Sequence, residues 1–236
     1  MKLPPKLIIF DCDGVLVDTE GLCNRELSKW LTEAGFPIGY EACRRRFNGR
    51  TMASVRDEVE AAGVLLGADF PDRWNEALPA LLAQGVDPIP HVRELVELVR
   101  GSGIAYCVAS SARVTKMNIT LGVTGMLPWF KDRMFSASMV ARGKPFPDVF
   151  LYAARTMGFA PSDCVVIEDS VAGTQAGVAA GMPVYAYAGD PMADREGLAA
   201  AGGMVFDDMR ELTDLLYLTP RKHLLPKRSS DSIAEV

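Results

Sequence analysis

Short apolar runs alternate along the chain with stretches whose apolar residues recur at helical spacing. Consecutive apolar residues, many of them β-branched, occupy residues 7–10, 104–109, 165–167, 184–188 and 204–206, with a weaker run at 134–135. Apolar residues at consecutive positions are typical of strands that a parallel sheet buries on both faces. The alternation of such strands with helices of 10–15 residues predicts an α/β fold with a doubly wound parallel sheet.

Helix boundaries follow from the residues that flank these runs. Apolar residues at i, i+3, i+4 and i+7 predict a helix over residues 92–99, with an end signal in the Gly-Ser-Gly segment that follows. A second helical stripe covers residues 149–157 and is closed by Gly158. Ser170 is a suitable N-cap for a third helix, because its side chain can accept a hydrogen bond from the first turn.

Residues 17–84 interrupt the alternation of strands and helices. They carry helical patterning and almost no strand signal, and they follow directly on the first predicted strand. We therefore expect a helical domain inserted in the first crossover, between residues 1–16 and 85–220 of the α/β body. Residues 221–236 are polar and charged without a helix pattern, and we expect them to form a flexible tail.

Composition narrows the functional classes. The 236 residues are 49% hydrophobic and 23% charged, with 25 basic and 30 acidic residues and a net charge of −5. This balance offers no basic footprint for nucleic acid or an acidic membrane surface. No apolar run approaches the roughly 18 residues of a membrane span, and the five cysteines lack the spacing of a disulfide framework or zinc site. We expect a cytoplasmic protein without membrane or nucleic-acid partners.

Polar side chains follow three of the predicted strands. Asp11 and Asp13 come after the first strand, Ser110 after the second, and Glu168 with Asp169 after the third. The carboxyl ends of parallel strands meet at one edge of the sheet, where ligands bind near the point at which strand order reverses. Clustered carboxylates would repel each other unless a cation held them together. The pattern therefore predicts a cation-binding site at this edge.

The spacing of the first two carboxylates suggests a division of labour. In an extended chain, Asp11 and Asp13 point to the same side and Cys12 points elsewhere. One carboxylate can then attack phosphorus while the other handles protons. Carboxylate oxygens backed by a substrate phosphate suit Mg²⁺ better than zinc. Lys144 offers a positive charge for the nucleophile and the phosphoryl group.

The loop after the second strand is a candidate phosphate site. Ser110 lies at the head of a helix expected to begin near Ala112, so it offers a hydroxyl and helix-start N–H groups to phosphate oxygens. Ser111 and Arg113 lie in the same loop, and their expected role is open between a phosphate contact and exposure to solvent.

Four segments carry a resemblance to a known family. They are DCDGVLVDTE (residues 11–20), VASS (108–111), KPFPDVF (144–150) and VIEDSxAG (166–173). In order and spacing they resemble the four motifs of the haloacid dehalogenase superfamily, and the resemblance spans about residues 5–190. The inserted segment is similar to the helical cap domain of the β-phosphoglucomutase-like and 6-phosphogluconate phosphatase-like branch. The resemblance implies a Rossmann-like core with an inserted helical cap.

The resemblance also implies catalytic roles. Asp11 would be the nucleophile that forms an aspartyl-phosphate, and Asp13 would act as general acid and then as general base. Ser110 and Lys144 would stabilise the phosphoryl group.

A metal site is implied in the same way. Mg²⁺ would be held by the Asp11 side chain, the Asp13 carbonyl and Asp169. Glu168 would contribute directly or through water.

Specificity is expected to come from the inserted segment. Asp18 and Thr19 suit the start of its first helix, because their short side chains can cap it. Glu20 follows them, and Gly49 and Arg50 lie in a candidate substrate-reading loop, where the guanidinium offers an anion-binding fork. One of the three consecutive arginines at residues 44–46 is a further candidate. These arginines would favour a substrate with a second anionic group.

Four functions compete for this set of residues. A dehalogenase needs neither Asp13 nor a Mg²⁺ site, and a non-catalytic phosphate-binding protein would not need the nucleophile. A sugar-phosphate mutase of this branch carries a histidine at the start of its cap, where this chain has Cys23. We therefore expect a Mg²⁺-dependent phosphatase, a monomer or weak dimer, acting on a small phosphorylated metabolite such as a sugar phosphate or sugar-acid phosphate. The mutase remains the alternative.

Overall fold

The computed structural model describes residues 4–47 and 50–218. Six strands of this part of the chain form one sheet and two very short strands form another. In chain order the strands are β1 (Leu7–Phe10), β2 (Val17–Asp18), β3 (Asp87–Pro88), β4 (Ala105–Ser110), β5 (Met134–Ser136), β6 (Cys164–Glu168), β7 (Val184–Tyr187) and β8 (Met204–Phe206).

The main sheet is parallel throughout, in the order β5-β4-β1-β6-β7-β8. Every residue of β1 is paired on both sides, with β4 and with β6. The chain builds outward from β1 to β5, and then starts again at β6 on the other side. Strand order therefore reverses next to β1, and the predicted doubly wound α/β fold is confirmed.

The two faces of the sheet explain the apolar runs. Leu7 and Ile9 pack on one face of the sheet, and Ile8 and Phe10 pack on the other. All four side chains are fully buried, because successive residues of a strand point to opposite faces and helices cover both. This double burial accounts for the lack of apolar-polar alternation in the central strands.

Helices fill the connections. In chain order they are α1 (Thr19–Glu33), α2 (Tyr40–Phe47), α3 (Met52–Ala61), α4 (Phe70–Gln84), α5 (Val92–Ser102), α6 (Val114–Val123), α7 (Leu127–Phe130), α8 (Asp148–Met157), α9 (Val171–Ala179), α10 (Arg195–Ala200) and α11 (Leu212–Leu215). Gly103 and Gly158 end α5 and α8 in the left-handed conformation, and the Ser170 side chain caps α9. These boundaries agree with the sequence predictions.

Helices α1 to α4 occupy most of the segment that interrupts the strand pattern. Their apolar residues form a cluster of their own, which includes Leu31, Phe47 and Trp74. Strands β2 and β3 pair antiparallel at the two points where the chain enters and leaves these helices, with Val17 opposite Pro88. The helices are thus joined to the sheet region through two adjacent chain crossings.

Some expectations differ from the structure. The helix expected near Ala112 begins at Val114 instead, and β4 extends to Ser110. The Ser110 hydroxyl accepts the Ala112 N–H at 3.2 Å, a local turn that delays the helix. Gly49 and the expected tail, residues 221–236, lie outside the described residues. Within the described ranges, no helix combines the length and apolar character needed to cross a bilayer.

Candidate active site

The carboxyl ends of β1, β4 and β6 meet at one edge of the sheet. Asp11 follows β1, Ser110 ends β4 and Glu168 ends β6, and all three residues are buried. The main-chain N–H of Asp11 donates to the Ile167 carbonyl at 2.9 Å, one residue beyond the ladder between β1 and β6. The backbone of Asp11 is therefore fixed by the sheet.

Lys144 lies between the carboxylates of Asp11 and Glu168. Its ammonium donates to Asp11 Oδ1 at 2.5 Å and also to Glu168 Oε1. The three side chains are 5%, 7% and 1% exposed, respectively. Burial alone would lower the pKa of Lys144, but the charges of Asp11 and Glu168 raise it above its ordinary value. The lysine therefore stays charged beside both carboxylates.

Burial has the opposite effect on Asp11. It raises the pKa of this carboxyl to about 7, although Lys144 lowers it, and the nearby Glu168 adds to the rise. The pKa of Asp169 is also raised well above its usual range, first by burial and then by Glu168 and Asp11. The single positive charge of Lys144 does not balance the three carboxylates of Asp11, Glu168 and Asp169.

Glu168 is held by several donors. Its Oε2 atom accepts the N–H of Asp169 at 2.8 Å, the N–H of Ser170 at 2.7 Å and the Ser170 hydroxyl at 2.9 Å. Its other oxygen accepts Lys144. Helix α9 approaches this carboxylate so closely that a Cβ at Gly173 would lie 1.8 Å from Oε1. Glu168 therefore holds Lys144, Asp169 and Ser170 in position.

Gly14 allows the loop after β1 to lie directly on Asp169. Its φ of +79° is in the left-handed region, and a Cβ there would lie 1.9 Å from Asp169 Oδ2. Its N–H donates to the Val17 carbonyl at 2.8 Å, which closes the turn. The glycine therefore brings the Asp11–Asp13 segment and Asp169 together.

The donor set fits a hard divalent cation. Oxygen atoms of Asp11, Glu168 and Asp169 lie within 4.8 Å of one another. The three residues offer carboxylate oxygens, which Mg²⁺ prefers. Burial, with a smaller contribution from neighbouring carboxylates, raises the pKa values of Asp11 and Asp169, and a bound cation would favour their ionised forms.

Asp13 has different partners from Asp11. Its Oδ2 atom accepts the Lys116 ammonium at 2.9 Å, and its Oδ1 atom accepts the Thr19 hydroxyl at 2.8 Å. Cys12 lies between the two aspartates in sequence but contacts Thr120 in the apolar core. Burial lowers the pKa of Lys116, yet Asp13 raises it overall, so the lysine is charged.

The candidate phosphate loop is divided between buried and exposed residues. Ser110 is 2% exposed and lies at the carboxyl end of β4, whereas Ser111 and Arg113 are exposed. The Ser110 hydroxyl accepts the Ala112 N–H, as described above. Of these three residues, Ser110 alone lies within the buried edge of the sheet.

A cavity of about 380 Å³ adjoins the carboxylate cluster. Gly14, Asp169 and Ser170 line it on the sheet side, and Glu20 and Arg44 line it from the helices of the inserted segment. Most of the remaining wall comes from the end of β7 and the loop that follows it, within residues 187–194, and Asp18, Ile89, Pro90 and Val171 complete it. A cavity of this volume is in the range of small-molecule sites.

Arg44 connects α2 to that loop. Its Nη2 atom forms an ion pair with Asp190, and its Nη1 atom lies 3.5 Å from the Tyr40 hydroxyl. The arginine side chain is 11% exposed. Burial lowers the pKa of Arg44, but the charge and hydrogen bond of Asp190 raise it overall, so the guanidinium is charged.

Arg50, the other candidate in the inserted segment, has partners elsewhere. It pairs with Glu58 and donates to the Ser54 hydroxyl. Neither Arg50 nor these partners are among the described residues that line the cavity. The structure therefore brings Arg44, rather than Arg50, to the cavity.

Lys116 and Asp190 were not predicted from the sequence. Each finds its partner far along the chain: Lys116 and Asp13 are separated by 103 positions, and Arg44 and Asp190 by 146. Neither residue belongs to one of the four motifs. The one available signal was the placement of Asp190 just after a predicted strand, at the same edge of the sheet as Asp11.

Comparison with known proteins gives a consistent family match. Residues 5–181 match the family described as haloacid dehalogenase-like hydrolase. The chain is 31% identical to 6-phosphogluconate phosphatase of Escherichia coli (strain K12), over 78% of this chain and 83% of that protein. It is 29% identical to hexitol phosphatase A of the same organism, over 77% and 82% of the two chains.

A solved structure supports the same grouping. A HAD family hydrolase from Deinococcus radiodurans R1, determined with bound phosphate and sodium, is 28% identical to this chain with a TM-score of 0.83. The superposition covers 93% of this chain and all of the other. The likeness therefore extends over both the sheet and the inserted helices.

Proposed function

Because the chain belongs to the haloacid dehalogenase-like hydrolase family and is a phosphoric monoester hydrolase, we propose that it hydrolyses a small phosphorylated metabolite through an aspartyl-phosphate on Asp11. The substrate would be a sugar phosphate or sugar-acid phosphate. The observation that carries this proposal is the buried contact of Asp11 with Lys144, beside Glu168 and Asp169. Relatives named 6-phosphogluconate phosphatase and hexitol phosphatase A support the substrate class.

In the first step, an Asp11 carboxylate oxygen attacks phosphorus and the bond from phosphorus to the ester oxygen breaks. The leaving oxygen takes a proton from Asp13, so that the alcohol departs neutral. Lys144 orients Asp11 and offsets the negative charge that accumulates as phosphate and carboxylate approach. The ion pair at 2.5 Å supports this role.

In the second step, water attacks the phosphorus of the aspartyl-phosphate. Asp13 accepts a proton from the water, the bond between phosphorus and Asp11 breaks, and inorganic phosphate leaves. Lys116 and Thr19 hold the two oxygens of Asp13 in place. Ser110 would donate its hydroxyl to a phosphate oxygen, and the exposed Ser111 and Arg113 would contribute at the rim.

Mg²⁺ is part of the proposal. Asp11 and Asp169 would hold it with their side chains and Asp13 with its main-chain carbonyl. Glu168 would act through water, since its oxygens already accept Lys144, two N–H groups and a hydroxyl. When bound, the ion supplies positive charge that draws the substrate phosphate to the carboxylates and stabilises the transferring group.

We further propose that residues 17–84 form a cap domain over a catalytic core of residues 1–16 and 85–220. The pairing of β2 with β3 at the junction supports these boundaries. Glu20 and Arg44 would be the cap residues that meet substrate, because both line the cavity.

We propose a monomer or weak dimer in the cytoplasm, acting on a small molecule rather than on nucleic acid or a membrane. All five cysteines are unpaired, as is usual in a reducing compartment.

The mutase alternative is disfavoured by the residue at the start of the cap. A mutase must keep its aspartyl-phosphate from water, and a histidine able to exchange protons near neutral pH suits that control. Burial raises the pKa of Cys23 to about 11. The thiol therefore stays protonated at pH 7 and is a weak hydrogen-bond partner.

Phosphate release from sugar phosphates and sugar-acid phosphates, measured with Mg²⁺, tests the proposed phosphatase activity. We expect turnover that EDTA abolishes and Mg²⁺ restores, and background rates from a folded Asp11→Asn variant. Turnover by Asp11→Asn near that of the wild type would refute the role of Asp11.

Phosphorus NMR on β-glucose 1-phosphate with a trace of bisphosphate separates phosphatase activity from mutase activity. Accumulation of glucose 6-phosphate faster than inorganic phosphate would favour the mutase.

A further inference from the structure

The charges around the cavity are unequal. Among the described residues that line it, five carry carboxylates and one carries a positive charge, Arg44. The carboxylates belong to Asp18, Glu20, Asp169, Asp190 and Asp194. Asp169 is one of the proposed metal ligands. The other four carboxylates surround the space that is left for the organic part of the substrate, to which the phosphate is attached.

The one arginine is already neutralised. Its Nη2 atom forms an ion pair with Asp190, in the loop after β7. Asp190 is itself held in place, since its Oδ1 atom accepts the Met192 N–H at 2.7 Å. A second anionic group on the substrate would have to displace Asp190 from Arg44 and would then meet the remaining carboxylates. Repulsion between these like charges would disfavour binding.

Uncharged hydroxyl groups fit the same surroundings. Carboxylate oxygens accept hydrogen bonds from hydroxyls, so the carboxylates that line the cavity can hold a polyhydroxyl chain. Such a chain carries no charge that would displace Asp190 from Arg44. Ile89, Pro90 and Met192 add apolar surface for a carbon chain.

We propose that Asp190, through its ion pair with Arg44, makes the cavity select phosphomonoesters of uncharged polyhydroxyl chains over those with a second anionic group. This inference rests on the proposed function and narrows its substrate class. It also reverses the preference expected from the arginines of the inserted segment, because the sequence alone does not reveal the carboxylate that faces Arg44. Asp190 is then a specificity-determining residue.

Two substrates test the inference with a minimal chemical difference. Glucitol 6-phosphate and 6-phosphogluconate share a carbon skeleton, and a terminal CH₂OH in the first is a carboxylate in the second. We expect the wild type to give a kcat/KM about tenfold higher for glucitol 6-phosphate. In Asp190→Asn, which keeps the acceptor for the Met192 N–H, this preference should shift about tenfold toward 6-phosphogluconate, because Arg44 is released to bind the carboxylate.

Two further variants isolate the ion pair. Asp194→Asn removes the same charge from the same cavity without touching Arg44, and we expect it to shift the ratio by less than about threefold. Adding Arg44→Gln to Asp190→Asn should return the ratio toward the wild-type value. A wild type that prefers 6-phosphogluconate, or a ratio that Asp190→Asn leaves unchanged, would overturn the inference.

An aryl phosphate assayed in parallel distinguishes failure of the proposed substrate class from failure of the proposed phosphatase activity. If the aryl phosphate is hydrolysed but neither sugar compound is, the substrate class is wrong and the phosphatase activity stands. If no compound releases phosphate with Mg²⁺ present, the proposed function itself fails.

Discussion

At the scale of single residues, the buried side chains of Asp11, Lys144 and Glu168 and the half-buried Asp169 combine three carboxylates with one ammonium. Burial raises the pKa of Asp11 to about 7 and also raises that of Asp169, and the neighbouring carboxylates add to both shifts. In a phosphatase, a bound cation would favour the ionised carboxylates and would also attract the substrate phosphate.

The raised pKa of Asp11 predicts a pH-dependent effect on stability. In metal-free folded protein Asp11 keeps a proton up to about pH 7, whereas the unfolded chain releases it near the ordinary value of 3.8. Ionisation therefore costs the folded state increasing stability as pH rises between these values, and the full cost remains above pH 7. Asp11→Asn avoids this cost.

Thermal unfolding in EDTA measures that cost. We expect Asp11→Asn to raise the melting temperature relative to wild type, and to do so more at pH 8 than at pH 5. The exposed Asp214→Asn controls for loss of a carboxylate as such. An increase in melting temperature at pH 8 that is equal to or smaller than the increase at pH 5 would contradict the raised pKa of Asp11.

Lys116 supports the proposed proton-handling residue. Replacing it by methionine removes the ammonium that binds Asp13 Oδ2 while keeping a side chain of similar length. We expect kcat to fall about tenfold or more with KM less affected, since Asp13 acts in both chemical steps. The exposed Lys131→Met is the matched control in steady-state assays, and an equal effect of the two variants would exclude a specific role for Lys116.

At the scale of elements, helix α9 is packed unusually closely on the end of β6. Gly173 is what permits this contact, because any Cβ there would overlap the Glu168 carboxylate. The helix thereby fixes Glu168, and through it Lys144. Local packing of one helix is in this way tied to the geometry of the nucleophile.

Two glycine-to-alanine changes test this coupling. Gly101 lies inside α5 with nothing within 4 Å of the position of a Cβ, so Gly101→Ala should be neutral or stabilise by up to about 1 kcal/mol. Gly173→Ala should destabilise by about 1–3 kcal/mol through overpacking, and it should also lower kcat. Urea unfolding and steady-state rates provide the readouts, and equal behaviour of the two variants would contradict the account.

The elements were largely predictable from sequence. The strands were visible because burial on both faces leaves unbroken apolar runs such as residues 7–10, and α9 was visible because Ser170 is a good N-cap. The start of α6 was misplaced by two residues, since the Ser110 side chain forms a turn with Ala112 before the helix begins. Side-chain turns of this kind leave little trace in a hydrophobic pattern.

At the scale of the whole molecule, the sheet edge and the inserted helices enclose one cavity between them. The fold and the residues at the strand ends follow from local patterns. The partners of Asp13 and Arg44 do not, because they come from α6 and from the loop after β7, more than 100 positions away. A sequence shows which side chains are charged, but the fold decides which charges meet.

We expect Asp11 to become phosphorylated during turnover. The most direct test is to quench the enzyme with acid during steady-state hydrolysis with Mg²⁺, reduce acyl phosphates with borohydride and map the peptides by mass spectrometry. Reduction converts an aspartyl-phosphate to homoserine, so we predict homoserine at position 11 only when substrate is present. Homoserine at position 13 instead, or none at position 11 during active turnover, would contradict the account.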